Sequence, residues 1–315
     1  MNFEKAALES PFLFLYRGKT MDYYQLPTLT ALSDCVTTAQ KDNVKIIRVM
    51  HPKAKCAVSL FGGHLLSYIP EGKPETIWMS AEAKYDGATA LRGGIPVCWP
   101  WFARMATPAH GFCRTSNEWK LVEHRENDEG VMLRLGLTDS EETFAIWPHK
   151  FELFLDIQIG DELTVSLTMH NTDEAPWKFS GALHTYLNIS DITKVETRGM
   201  GGEYIDSLNN GALTQGGDTL VLTDTIDRIY TKPEASIELS DTGFERRIQV
   251  SNDGANSAVL WNPWAQGAES MGDMQNDGFK TMLCIEACQW AKDLESGTEL
   301  APGESHTLST KIVSI

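Results

Sequence analysis

The sequence is poor in positive charge and in cysteine, and each shortage excludes a class of protein. Its 315 residues carry 27 Lys and Arg against 43 Asp and Glu, a net charge of −16. This charge repels phosphate backbones and anionic lipid, so neither nucleic acid nor a membrane surface is expected as a partner. The six cysteines are irregularly spaced, and the amino terminus lacks the pattern of a signal peptide. We therefore expect a cytoplasmic protein with reduced thiols.

Long apolar runs, repeats and nucleotide-binding motifs are missing as well. No stretch approaches the roughly 20 apolar residues that cross a bilayer. No repeat of about 20–50 residues is found, and no Rossmann rhythm of strands and helices. A phosphate-binding glycine loop, an HExxH motif and paired CxxC motifs are also absent from the sequence. Nucleotide hydrolysis and a structural zinc site therefore have no support.

Short apolar stretches separated by Gly, Pro and Asp dominate the chain from about Lys45 onward. Apolar and polar residues alternate over 151–159 and 163–169, which predicts a β-hairpin with one buried face. Further strands are predicted at 133–137, 244–250, 258–263, 281–287 and 308–315. We predict an all-β fold, one large antiparallel β-sandwich with few short helices. Residues 1–43 are expected to form a leading segment that packs on a single domain of residues 44–315.

Residues 91–114 combine basic and aromatic side chains with several turn formers. The basic residues are Arg92, Arg104, His110 and Arg114, and the aromatic residues are Trp99, Trp101, Phe102 and Phe112. Gly93 and Gly94 have no side chains, so a ligand or another backbone can approach closely there. Glycine and proline alone would indicate only turns, and the tryptophans only a core. The arginines beside them favour a binding loop.

Two further segments each place one titratable group in a predicted strand. In residues 178–190, alternation puts His184 on a polar and aromatic face, although a single histidine is more often structural than catalytic. Glu286 interrupts an apolar strand and shares a face with Cys284 and Cys288. Because desolvating a carboxylate costs several kcal/mol, Glu286 either pairs with a cation or acts as a base. The two cysteines would stand about 13 Å apart on a strand, too far for a disulfide.

With these residues in hand, the chain resembles the aldose 1-epimerase superfamily, and within it the glucose-6-phosphate 1-epimerases. The resemblance rests on six motifs in this order over about residues 45–315: LRGGIPVCWPWF, HGFCR, LHTYLNI, the Asp of IDRIY, LWNPW and CIEACQW. It implies a galactose mutarotase-like supersandwich with an open groove on its concave face. Such a groove would bind a hexose 6-phosphate and interconvert its α and β anomers without metal or cofactor.

The resemblance also assigns roles to individual residues. His184 matches the general acid of the family and Glu286 its general base. Arg92 and Arg114 match substrate-binding arginines, with the phosphate as their target. Asp227 of IDRIY matches a substrate-binding acid. This would place a proton donor and a proton acceptor around one bound pyranose.

Three further positions bear on the sugar site. His110 lies where the family lines this site, and the aromatic residues around Trp99 would offer the sugar a flat apolar wall. Many relatives have Gln before the HGF histidine and Ala inside the GFAR motif. This chain has Ala109 and Cys113 at these two positions, which puts one polar sugar contact in doubt.

The sequence thus predicts a mutarotase for hexose 6-phosphates such as glucose 6-phosphate, acting as a monomer on a small-molecule sugar phosphate. Two alternatives stay open: a mutarotase for unphosphorylated aldoses, and a non-catalytic protein that binds sugar phosphates. A glycosidase that uses two carboxylates is a more distant alternative, because sandwich folds support several sugar chemistries.

Overall fold

The fold is built almost entirely from strands. The computed structural model describes residues 21–315. The first strands are β1 (Thr30–Ala31), β2 (Val36–Lys41), β3 (Val44–His51), β4 (Ala54–Ser59), β5 (His64–Pro70), β6 (Val97–Cys98), β7 (Lys120–Asn127), β8 (Gly130–Thr138), β9 (Phe151–Ile159), β10 (Leu163–Asn171), β11 (Trp177–Phe179) and β12 (Gly181–Leu183). The others are β13 (Tyr186–Asn188), β14 (Val195–Arg198), β15 (Glu203–Asp206), β16 (Ala212–Gln215), β17 (Thr219–Leu220), β18 (Ile226–Tyr230), β19 (Ile237–Asp241), β20 (Arg246–Asp253), β21 (Ser257–Asn262), β22 (Met282–Gln289), β23 (Thr298–Leu300) and β24 (Ser305–Ser314).

Helices are few and short, as predicted. The two α-helices are α1 (Glu141–Ile146) and α2 (Trp264–Ser270). Single 3-10 turns lie at Tyr23–Gln25, Phe61–Gly63, Cys113–Thr115, Ile192–Lys194, Ser207–Asn209, Gly278–Thr281 and Leu294–Ser296. Within residues 21–315, no helix has the length and hydropathy of a membrane span.

A nine-stranded antiparallel sheet contains the predicted hairpin. Its strand order is β17-β14-β19-β20-β24-β10-β9-β8-β7. β9 and β10 pair from Leu163 opposite Ile159 to Asn171 opposite Phe151, and alternate residues of both strands are buried. The period-2 pattern therefore marks the face that enters the core, and the prediction is confirmed. The five other predicted strands overlap β8, β20, β21, β22 and β24, with ends that differ by up to three residues.

An eight-stranded sheet packs against the nine-stranded one and positions the candidate site. Its order is β16-β15-β18-β21-β22-β12-β6, with β13 also paired to β22. One face of β22 carries Leu283 and Ile285, which join the same core cluster as Leu308 and Ile312 of β24. The other face of β22 carries Cys284 and Glu286, because successive residues of a strand alternate. The predicted all-β antiparallel sandwich is therefore confirmed.

The beginning of the described chain belongs to a third sheet. β1 to β5 form five antiparallel strands, and β2 pairs with β3 from Val36 opposite Val49 to Lys41 opposite Val44. The expected boundary after residue 43 lies in the tight turn of this hairpin. Residues 30–41 thus continue the sheet that begins the predicted domain, while residues 1–20 lie outside the described part. The division into a leading segment and one domain stays a prediction.

Candidate active site

Glu286 lies within β22, between β21 and β12 of the eight-stranded sheet. Only 1% of this residue is exposed, and neither carboxylate oxygen has a hydrogen-bond partner among the described residues. Burial raises the pKa of this carboxyl well above its usual range, and the charge of Asp227 raises it further. Glu286 therefore holds a proton more readily than an exposed glutamate does.

His184 lies at a break in the strand that was predicted over residues 178–190. The chain forms β11, β12 and β13 there, so the prediction of one continuous strand is wrong. β12 and β13 both pair with β22, and the His184 amide leaves the ladder to donate to the Pro96 carbonyl. Because β12 and β13 pair with β22 on either side of the break, the His184 imidazole lies next to Glu286 of β22.

The imidazole and the carboxyl are direct neighbours. His184 Nδ1 lies 3.4 Å from Glu286 Oε1. Burial lowers the pKa of His184 well below its usual range, and the nearby His110, Arg92 and Arg114 lower it further. Burial thus disfavours the charged form of both groups, and their close approach couples the gain or loss of a proton by one to that of the other.

Aromatic rings fix the orientation of the imidazole. The Tyr186 ring stacks on His184 with centroids 4.7 Å apart and planes inclined by 10°. Trp78 stacks on Tyr186 at 5.9 Å. Phe102 and Trp261 approach His184 edge-on at 6.3 and 5.9 Å. These rings surround His184 and the neighbouring Glu286 with apolar walls.

Arg92 reaches the same face but is already paired. Its Nη1 donates to the Tyr186 hydroxyl at 3.0 Å, and its Nε and Nη2 lie 3.2 and 3.1 Å from the two carboxylate oxygens of Asp273. Tyr186 and Asp273 both raise the pKa of Arg92, so the guanidinium is charged. An anionic ligand would compete with Asp273 for it.

Arg114 and His110 complete the basic side of the site. Arg114 Nη2 donates to the Ala109 carbonyl at 3.1 Å, and its buried Nε has no partner among the described residues. The His110 ring lies edge-on to His184, with centroids 5.9 Å apart. Burial, followed by the nearby arginines, lowers the pKa of His110 to about 3. His110 is therefore neutral, whereas Arg104 is an exposed cation.

Asp227 lies in β18, two strands away from β22. It is opposite Trp261 of β21, which in turn is opposite Cys284 of β22. Asp227 therefore lies on the same face of the sheet as Glu286, in line with the position two residues before Glu286 on β22. Burial raises the pKa of the Asp227 carboxyl. The six predicted site residues thus come from four separate segments of the chain to one region of the sheet.

Trp99 itself lies elsewhere, so it is not part of the flat apolar wall that was expected from the aromatic residues around it. It is completely buried. Its ring packs edge-on against Phe112, Trp147, Phe151 and Trp177, with centroids 4.8–6.0 Å apart. This aromatic cluster belongs to the core between the sheets, so Trp99 supports the binding loop from below instead of contacting a ligand.

The tight turn after Arg92 requires glycine. Gly94 has φ +71°, and a Cβ there would overlap the Leu65 carbonyl oxygen and the His64 ring. We expect Gly94→Ala to lower the free energy of unfolding by about 1–3 kcal/mol more than Gly72→Ala. Gly72 is a matched control, because its φ is +68° and no atom lies within 4 Å of where its alanine methyl would stand. Urea denaturation measures both losses, and equal losses would contradict the close packing of this turn.

Comparison with known proteins identifies the family. A sequence model of the family described as aldose 1-epimerase matches residues 45–313. The chain belongs to the aldose 1-epimerase family. Membership makes the protein an isomerase of sugars and agrees with the resemblance seen in its motifs.

Similar proteins match this chain over most of its length. A protein of Escherichia coli K12 provisionally named glucose-6-phosphate 1-epimerase is 37% identical over 285 residues, which cover 89% of this chain and 94% of the relative. The crystal structure of YeaD from Salmonella typhimurium, provisionally named a mutarotase, is 34% identical with a TM-score of 0.87, covering 92% and 97% of the two chains. Galactose 1-epimerase of Lactobacillus acidophilus has the same fold, with 14% identity and a TM-score of 0.68 over 88% and 96% of the chains.

Two positions depart from the usual motifs of the aldose 1-epimerase family. Ala109 contributes only its backbone carbonyl, as the acceptor for Arg114. Cys113 is completely buried. Its carbonyl accepts a hydrogen bond from Trp119 Nε1 at 3.1 Å. Both departures therefore leave the backbone interactions of the loop in place.

Several residues of this aldose 1-epimerase site were not singled out from the sequence. Asp273 lies in a loop without periodicity, so no pattern indicated that it would pair with Arg92. Tyr186 was placed on the face of His184, but its stacking partner depends on the break in the strand. Phe102 and Trp261 lie in segments that the sequence analysis named, but neither was predicted to approach His184. The short spacing in LHTY was the one available signal, since His184 and Tyr186 are two residues apart.

Proposed function

We propose that the protein interconverts the α and β anomers of hexose 6-phosphates, with glucose 6-phosphate as a substrate. The observation that carries the proposal is the 3.4 Å separation of His184 Nδ1 and Glu286 Oε1. Anomer exchange removes a proton from the C1 hydroxyl and delivers one to the ring oxygen. Both oxygens are bonded to C1, so the two protein groups must lie side by side. The observed pair meets this requirement.

The proposed reaction opens and recloses the pyranose ring. Glu286 takes the C1 hydroxyl proton while the bond between C1 and the ring oxygen breaks, and His184 protonates that oxygen. Rotation about the C1–C2 bond presents the other face of the aldehyde. Ring closure returns both protons and forms the other anomer. Neither side chain is consumed, and the burial that raises the pKa of Glu286 favours the protonated carboxyl that follows ring opening.

Arg92 and Arg114 are the proposed phosphate ligands. Both lie close enough to lower the pKa of His184 and of His110, which places their positive charge beside the pair. Arginine suits a phosphate because its planar fork donates two charge-assisted hydrogen bonds. The unpartnered Nε of Arg114 is available for one of them.

Removal of Arg92 should weaken binding of the phosphorylated substrate more than binding of the free sugar. We expect Arg92→Ala to raise KM for glucose 6-phosphate about 10- to 100-fold more than KM for glucose, since a hydrogen bond to a charged group contributes about 1.5–3 kcal/mol. Arg247→Ala is the control, because Arg247 is an exposed arginine of the nine-stranded sheet. Initial rates on both sugars measure the ratio, and equal effects would exclude Arg92 as a phosphate ligand.

Unphosphorylated aldoses are a second candidate substrate class, and one contact favours them. Asp273 already neutralises Arg92, and such a pair can bind sugar hydroxyls instead of phosphate. Polarimetric relaxation of fresh α-glucose 6-phosphate and α-galactose, with and without protein, separates the two. Acceleration of the phosphate ester alone supports our proposal. Binding of the ester without acceleration of either sugar would instead indicate a non-catalytic binding protein.

The proposal also covers the cellular location, the partners and the oligomeric state of the enzyme. A net charge of −16 and the free state of all six cysteines support a cytoplasmic protein that binds neither nucleic acid nor anionic lipid. We propose that it acts as a monomer on one small-molecule substrate, with the acid–base pair and the arginines all supplied by residues 44–315.

A further inference from the structure

Three ligand atoms meet beside the proposed substrate site. They belong to His184, Cys284 and Glu286, and all lie within 4.8 Å of one another. Cys284 and Glu286 are two residues apart on β22, so strand alternation puts their side chains on one face. His184 reaches the same point from the break between β12 and β13. Within residues 21–315, no other three such side chains bring their ligand atoms this close together.

The polar atoms of this trio have no competing partners. His184 Nδ1 and both oxygens of Glu286 are buried without a hydrogen bond among the described residues. Exposure is 9% for His184, 1% for Glu286 and 0% for Cys284. Two of the three side chains are thus fully enclosed, and the imidazole offers the exposed edge. Buried polar groups ordinarily have a bonding partner, and a bound ion can supply one where the protein does not.

We propose that His184, Cys284 and Glu286 form a site for a thiophilic divalent cation such as Zn²⁺. Imidazole nitrogen, thiolate and carboxylate are the three ligand types that zinc binds in proteins, at about 2.0–2.3 Å. Ligand atoms at such distances are separated by about 3.3–3.8 Å on a tetrahedron, so side-chain shifts of about 1 Å close the site. The thiol and the carboxyl release their protons to solvent as the metal binds, and no redox change occurs.

The metal acts as an inhibitor of the proposed anomerisation, not as a cofactor. It occupies the lone pairs of His184 and Glu286 through which protons pass to and from the sugar. The inhibitory effect rests on the proposed function, whereas metal binding itself does not. Cys284 takes no part in the proposed proton transfers, so a Cys284 variant should lose metal binding while keeping the groups that transfer protons.

Cobalt binding tests the site without any measurement of activity. Wild-type protein titrated with Co²⁺ should develop a near-ultraviolet thiolate-to-cobalt charge-transfer band that saturates at one equivalent and is displaced by Zn²⁺. Cys284→Ser should abolish the band. Cys288→Ser should retain it, because Cys288 is an equally buried thiol on the same face of β22 outside the trio. Circular dichroism establishes that each variant is folded, and Cys284→Ala replaces the serine variant if that one is not.

The remaining ligands and the activity supply independent checks. His184→Asn and Glu286→Gln should each lower the affinity for Co²⁺ at least 10-fold, and equimolar Zn²⁺ should inhibit the wild type but not a folded Cys284 variant. A wild type without the band, or a folded Cys284 variant that keeps it, overturns the metal site. A wild type that shows the band but anomerises no sugar refutes the proposed function and leaves the metal site standing.

Discussion

Glu286→Gln should lower kcat for the anomerisation of glucose 6-phosphate by about 10²–10⁴-fold, the usual contribution of a well-placed acid or base. Glutamine keeps the size and planarity of the side chain but cannot accept the C1 hydroxyl proton. The folded protein should not become less stable, because the substitution removes a nearly fully buried ionisable carboxyl that has no hydrogen-bond partner among the described residues. Loss of activity would therefore come from the chemistry alone.

The control for this substitution is a glutamate away from the site. Glu299→Gln makes the same chemical change at an exposed position of β23 and should leave kcat unchanged. Polarimetry on both variants, combined with thermal melting, separates a catalytic loss from a folding defect. A folded Glu286→Gln protein with more than a tenth of the wild-type kcat would exclude Glu286 as the base.

Trp99→Ala should lower the free energy of unfolding by about 3–5 kcal/mol, the range for an aromatic residue removed from a packed core. The side chain is completely buried among four aromatic rings. Its loss leaves a cavity that the surrounding sheets cannot fill without moving. Because the Trp99 ring packs against none of the six proposed site residues, KM for glucose 6-phosphate should change little under conditions where the variant is folded.

Phe144→Ala is the matched control for the loss of an aromatic side chain. Phe144 lies on α1 with 46% of its surface exposed, so the free energy of unfolding should change by less than about 0.5 kcal/mol. Urea denaturation and substrate titration distinguish the two roles of Trp99. A higher KM with unchanged stability would restore the interpretation of Trp99 as a wall of the sugar site.

The sheets could be predicted from the sequence because burial follows the period of a strand. The alternation from Phe151 to Ile159 is a property of neighbouring residues, and it survives in the structure as one buried face. Glu286 could also be singled out, since it is a carboxylate in an apolar strand, whereas the role of His184 came from the resemblance of its motif to the aldose 1-epimerases. The proximity of His184 to Glu286 could not be predicted, because it depends on the pairing of β12 and β13 with β22.

Other features depend on contacts that no local pattern encodes. Trp99 and Phe102 stand three residues apart in the same aromatic segment, yet one fills the core and the other approaches His184. The break at His184 results from tertiary pairing that overrides the alternation of residues 178–190. Asp273 pairs with Arg92 across 181 positions of sequence. Each case requires the three-dimensional arrangement of distant segments.

The central claim is that His184 and Glu286 act as one proton-exchanging unit. Magnetisation exchange between the α and β anomeric signals of glucose 6-phosphate measures this directly at equilibrium, for the wild type, His184→Asn, Glu286→Gln and the double variant. We predict fast exchange in the wild type, a loss of about 10²–10⁴-fold in each single variant, and no greater loss in the double variant than in the worse single one. Wild-type exchange in either single variant, or losses that multiply in the double variant, would contradict the claim.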